Sequence, residues 1–165
     1  MTIPTDRPGV RRRIAGIAYE SLLLLGVLSV TFMLPYVALG YAFHVTAPGW
    51  FLLVHVLVVL GAYFLWYWHH GGQTLAMQTW KMQLVRADGA PPSLPQLVLR
   101  FALTWAIPLL MMLIMRELLT YIPRDVPHWY PVLGGCVGLL WALFDRDRQF
   151  LHDRLAGTQI IFKPE

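Results

Sequence analysis

Arg13 and Glu20 stand seven residues apart at the head of a long apolar run. Two helical turns put both on nearly one face, roughly 10 Å apart along the axis, which is too far for a direct salt bridge in an ideal helix. A carboxylate in hydrocarbon is costly unless it is partnered or protonated, and such acids mark functional sites by default. Arg100, about two turns into a later apolar run, is the expected partner for Glu20. Two readings of that pairing stand side by side. It binds an ion or proton, or it clasps two helices together.

A second polar knot is Phe150-Leu151-His152-Asp153-Arg154-Leu155-Ala156-Gly157-Thr158. It is expected to set Asp153 against Arg12 or Arg13; the plainer reading is a solvated amphipathic segment anchored by Phe150, Leu151 and Leu155. His69-His70 and His152 raise the question of a metal. Adjacent histidines point apart on a helix, however, and no HxxxH or CxxC spacing exists, so neither metal nor other cofactor is expected. No Ser–His–Asp set, phosphate-cradling glycine loop or paired-carboxylate motif stands out. The chain is therefore not expected to be an enzyme, and no residue is assigned a catalytic role.

The elements that hold these groups follow from composition. Of the 165 residues 57% are hydrophobic and 13% charged, against roughly 45–50% and about 25% in soluble domains. Lipid is the expected solvent. A net charge of +4 would also suit nucleic acid, but the basic residues flank apolar segments, and no nucleic-acid partner is expected. The first apolar run is too long for a signal-peptide core and reads as a retained helix.

The fold class expected is an all-α polytopic membrane protein. It has four transmembrane helices, about 12–40, 50–68, 94–115 and 129–144, an interfacial segment between the second and third, and an amphipathic C-terminal tail. Residues 1–10 form an unstructured lead, and 11–165 a single domain. Pro35 is expected to kink or end the first helix. Residues 73–80 read as a short interfacial helix, Lys81-Met82-Gln83-Leu84-Val85 as an extended piece, Asp88-Gly89 as a turn and Ser93 as an N-cap. Gly134 and Gly138, at i and i+4, would let another helix approach closely. Cys136 is the single cysteine, so no intramolecular disulfide can form.

Counting charges orients the chain. With the N-terminus inside, the inner segments hold Arg7, Arg11, Arg12, Arg13, Lys81, Arg86, Arg100, Arg146, Arg148, Arg154 and Lys163, leaving only Arg116 and Arg124 outside. The positive-inside rule then makes both termini cytoplasmic, in a bacterial-type plasma membrane.

These residues carry a resemblance. The chain resembles the RDD family of small membrane proteins, named for one arginine and two aspartates. Arg13-Ile14-Ala15 and Glu20 stand where the family places its first arginine and first aspartate, with Glu for Asp. Leu151-His152-Asp153-Arg154-Leu155-Ala156-Gly157-Thr158 resembles its C-terminal motif, Asp153 matching the second aspartate. Gly72-Gln73-Thr74-Leu75, Val85 and Asp88-Gly89 resemble its central segment, although Ala76 and Met77 replace the usual Gly and Lys. Arg100 fits the arginine that often opens the next helix. The resemblance covers about 11–162. It implies a charged cluster of Arg13, Glu20, Arg100 and Asp153, supported by Arg12, Gln73, Thr74, His152 and Arg154.

Two functions are expected from different classes. One is transport or binding of a cation, proton or small ligand at that cluster, in an oligomer, since four short spans are little material for a pathway. The other is a non-transporting accessory or assembly module for another membrane protein, with the charges structural. The partners are then the lipid bilayer, and further copies of the chain or another membrane protein.

Overall fold

The structure is a computed structural model and describes residues 8–44, 46, 48–121, 133–134, 136–145, 147 and 149–163. The expected lead therefore lies largely outside the described residues. The first helix runs without a break from Val10 to Phe43 as α1 (Val10–Leu28), a π-helical stretch (Ser29–Met33) and α2 (Leu34–Phe43). Pro35 does not end it. Proline has no N–H for the carbonyl one turn back, and the wider π turn just ahead of Pro35 absorbs the mismatch in the hydrogen-bond ladder. Among the described residues, α3 (Gly49–Gly71) and α5 (Leu94–Thr120) complete three helices long and apolar enough to cross a membrane. α5 continues through Pro108 and past the expected end at 115.

The flanks of these helices are apolar and open. Leu22, Val37, Val58 and Leu109 are each more than half exposed. Contiguous apolar surface of this extent does not persist against water. Of the expected fourth span, residues 129–132 and 135 lie outside the described residues. Within them is α6 (Val137–Phe144), packed on α5. Gly134 approaches α5 so closely that an added Cβ would stand 2.6 Å from the Met111 carbonyl oxygen. This glycine serves packing within the chain.

Between α3 and α5 the chain builds a cap. Gly72 closes α3 in the left-handed region (φ +65°), and its carbonyl accepts from Leu84 N–H at 2.7 Å. α4 (Leu75–Thr79) follows, its N-cap Thr74 accepting from Met77 N–H. β1 (Met82–Arg86) occupies the expected extended piece, and the Asp88-Gly89 turn closes through Gly89 N–H on Arg86 O at 2.9 Å. At the start of α5 the Gln96 side chain accepts from Ser93 N–H at 3.1 Å.

The all-α expectation needs a correction. The tail is a short helix, α7 (Leu151–Leu155), and a strand, β2 (Thr158–Phe162), which pairs antiparallel with β1 in the register Met82↔Phe162 to Arg86↔Thr158. β2 is buried at four consecutive positions, 158–161. A strand covered on both faces shows no polar–apolar alternation, and an amphipathic pattern was the wrong template for it. Trp68, Met77, Met82, Leu84, Leu97 and Ile160 form the buried core. It lies at one end of the molecule, where α1 begins, α3 ends, α5 begins and the two strands meet.

Candidate functional site

That capped end holds the charged residues. Arg100 reaches Asp153 on α7, Nε to Oδ1 at 2.7 Å, with both side chains buried. The Trp68 ring lies 4.2 Å beneath the guanidinium, and the Arg100 backbone carbonyl accepts the Thr104 hydroxyl proton at 2.8 Å. Burial pushes the Asp153 carboxyl up, but Arg100 outweighs it, with help from His152 and Arg13, and holds the group below the usual carboxylate range. The expected Glu20–Arg100 pair is therefore not what forms. α7 packs on α5 and delivers Asp153 to the arginine, while Glu20 finds donors of its own.

Glu20 is 8% exposed. The Tyr63 hydroxyl on α3 donates to its Oε1 and the Thr74 hydroxyl to its Oε2. Thr74 Oγ1 already accepts from Met77 N–H, so its own proton is free to point at the carboxylate. None of the ion pairs among the described residues includes Glu20. Its hydrogen-bond partners among the described residues are neutral hydroxyls.

Arg13 is 1% exposed, and Asp153, expected against Arg12 or Arg13, takes Arg100 as its ion-pair partner. Arg13 donates Nη2–H to Ile160 O of β2 at 3.1 Å and lies 5.9 Å from the centre of the Phe150 ring. Arg12 donates to Trp80 O at 3.0 Å and stacks 4.7 Å from the Phe162 ring. The two arginines thus tie the head of α1 to the sheet. Gln73 bridges the same cap, donating to Met82 O at 2.6 Å and accepting from Lys163 Nζ at 3.0 Å.

His152 stacks on Phe150, and its Nε2 lies 3.5 Å from Asp153 Oδ1. Burial drives its pKa down to about 4, against the pull of Asp153. At neutral pH this histidine is uncharged. Arg154 points outward and pairs with Asp145 at 2.5 Å, away from the other members. Among the described residues no cluster of His, Cys, Asp and Glu could hold a metal.

Arg13, Glu20, Arg100, Thr74 and His152 all line one cavity of about 330 Å³. α1 supplies one wall with Gly16, Ile17, Ser21 and Leu24, and α5 the opposite wall with Phe101, Thr104, Trp105, Ile107 and Pro108. Phe64 and Trp68 of α3 contribute, and Met77, Met82, Phe150 and Ile160 of the cap close one end. Most of the surface is apolar, with a few converging polar groups, the usual makeup of a small-molecule site.

Tyr63 was absent from the sequence-derived cluster. It sits among aromatics at the end of an apolar span and reads as part of an interfacial belt. The available signal was the hydroxyl itself: a tyrosine within a span needs a partner for its O–H, and Glu20 is a nearby acceptor at matching depth.

Comparison with known proteins places these residues in context. A family model described as the RDD family matches residues 7–157. A protein of Rickettsia prowazekii (strain Madrid E), described as uncharacterized protein RP437, is 30% identical over 106 residues, which is 64% of this chain and 45% of that protein. The chain thus spans less than half the length of that curated relative. No solved structure matches it.

Proposed function

Because this chain belongs to the RDD family, we propose that it is an integral membrane protein that binds a small cationic or protonatable ligand in the cavity between α1, α3 and α5 and carries it across the bilayer. Glu20 is the recognition group. One observation carries this reading: the carboxylate lines the cavity, is buried, and has only neutral hydroxyl partners among the described residues. The same molecule neutralises Asp153 with a directly bonded arginine. An uncompensated buried charge is destabilising by several kcal/mol as an order of magnitude, so Glu20 is kept for a partner that arrives and leaves. The arginines are absorbed in holding the cap together.

The proposed topology has four crossings with both termini cytoplasmic. The head of α1 and strand β2 meet through Arg13 and Ile160, at the end where α5 begins. α5 then carries the chain some 27 residues away, roughly 40 Å at 1.5 Å per residue. After α5, α7 and β2 stand again at the capped end, against Arg100 and Arg13, which supports an even count of crossings, and the clustering of basic residues at that end supports a cytoplasmic assignment in a bacterial-type plasma membrane. No enzymatic step and no cofactor belong to this reading. A homo-oligomer would supply the material that a single small bundle lacks for a complete path.

The test is uptake into proteoliposomes carrying an internal pH dye, with sodium, potassium and small organic amines offered outside. Wild type should respond to at least one cation, and Glu20→Gln should not. A response from neither protein above empty liposomes, or an equal response from both, overturns the proposal.

A further inference from the structure

Around Glu20 the cavity offers hydrogen-bond acceptors whose neighbouring hydroxyl protons are already committed. Tyr63 and Thr74 spend theirs on the carboxylate. Ser21 donates to Ile17 O at 2.8 Å, and Thr104 to Arg100 O at 2.8 Å, each within its own helix. Ser21 and Thr104 both line the cavity, and with their protons engaged in these bonds their oxygens face a ligand as acceptors. Glu20 has lone pairs left beside its two hydroxyl bonds. Glu20, Ser21 and Thr104 thus set three acceptors, one of them negative, into an otherwise apolar lining, complementary to a positively charged group rich in N–H donors.

A bare metal cation fits less well. Sodium or calcium needs a shell of about six oxygens, whereas this wall is dominated by ring and aliphatic carbon. Phe64, Trp68, Phe101 and Trp105 line the cavity beyond the polar groups. Aromatic faces attract an ammonium and bury a hydrocarbon body. The cavity is also long. On α1 its lining runs from Arg13 to Leu24 and on α5 from Arg100 to Pro108, roughly 16 Å and 12 Å of helix. Polar groups gather toward the cap, and Ile107, Pro108 and Leu24 lie at the opposite end.

Resting on the reading of Glu20 as a cation-recognition group, we infer that the ligand is an amphipathic primary amine. Its ammonium donates to Glu20, Ser21 and Thr104, and its apolar body lies among Phe101, Trp105 and Ile107. Arg100 does not oppose this, because Asp153 holds its charge. Arg13 stands two helical turns from Glu20 with its Nη2 directed at Ile160 O.

The experiment uses the full chain in nanodiscs and isothermal titration with three compounds of one shape: 4-phenylbutylamine, 4-phenylbutanol and 4-phenylbutyrate, each corrected against empty nanodiscs. Methylamine is the fourth probe. The amine should bind at least about tenfold more tightly than the alcohol, a gap of roughly 1.4 kcal/mol, and more tightly than methylamine. Glu20→Gln should erase the preference over the alcohol, and Trp105→Ala should weaken the amine while leaving methylamine unchanged. Trp105→Ala keeps the test open if Glu20→Gln fails to fold. Equal binding of amine and alcohol overturns the inference. If cation uptake still depends on Glu20, the broader proposal survives that result. Tighter binding of 4-phenylbutyrate overturns both, because the arginines would then define the site.

Discussion

Arg100 and Asp153 meet across 53 positions of sequence at 2.7 Å, with the Trp68 ring under the guanidinium and 7% and 0% of the two side chains exposed. This pair fastens the tail to α5. Removing one partner strands a charge in a dry site, and Arg100→Met or Asp153→Leu alone should cost about 3–5 kcal/mol. The double variant should cost less than the sum by about 1–3 kcal/mol. Thermal unfolding in detergent measures both. Glu20→Gln shares no hydrogen-bond partner with Arg100 and should add to Arg100→Met independently; strong coupling between those two would contradict the geometry.

Thr74 does two jobs with one oxygen. It caps α4 by accepting from Met77 N–H at 3.3 Å and donates to Glu20. Thr74→Val preserves shape and loses both, so the melting curve should fall by about 1–3 kcal/mol. Thr74→Ser keeps the hydroxyl and should recover most of it.

Glycine positions test the packing directly. Gly134→Ala would drive a Cβ to 2.6 Å from Met111 O, a backbone atom that cannot swing aside. A loss of about 1–3 kcal/mol is expected. If Gly134 serves only contacts between copies, the monomer's stability will be unchanged and its oligomer will dissociate instead.

His152 sets an acid limit. Its folded pKa is depressed to about 4 from 6.5 because burial disfavours the imidazolium. The unfolded chain then binds the extra proton first as pH falls. Stability associated with this residue is complete above about pH 6.5 and declines toward pH 4. Asp153, held below its ordinary 3.8, adds its own loss only at lower pH. His152→Gln should flatten stability between pH 6.5 and 4. A curve in that window identical to wild type would disprove the assignment.

What the sequence made legible was what lipid and charge dictate. An acid inside one apolar run and an arginine at similar depth in a later one pointed to Glu20 and Arg100, and the family resemblance of the Gly-Gln-Thr segment pointed to Thr74. Pairing was harder. Arg100 had two acids to choose from, and depth along a helix does not reveal which face a distant α7 will cover. Tyr63 was hidden because an aromatic in a span has a sufficient explanation in lipid. The β1–β2 ladder joins residues about 76 apart, from Met82↔Phe162 to Arg86↔Thr158. The alternation over 81–85 revealed β1 as an extended piece, but β2, buried at four consecutive positions, does not alternate, and local pattern held no record of the partnership.

That ladder also sets an order of events. β2 is synthesised after all three long helices, yet it carries Ile160, the carbonyl that receives Arg13 from the first of them. During synthesis α1, α3 and α5 must enter the membrane with their polar end unfinished, and Arg13, Gln73 and β1 wait for a strand still inside the ribosome. Closure of the cavity is thus a late, long-range step, the kind that contact order makes slow. The interval before it is when a chaperone or insertase would have most to hold.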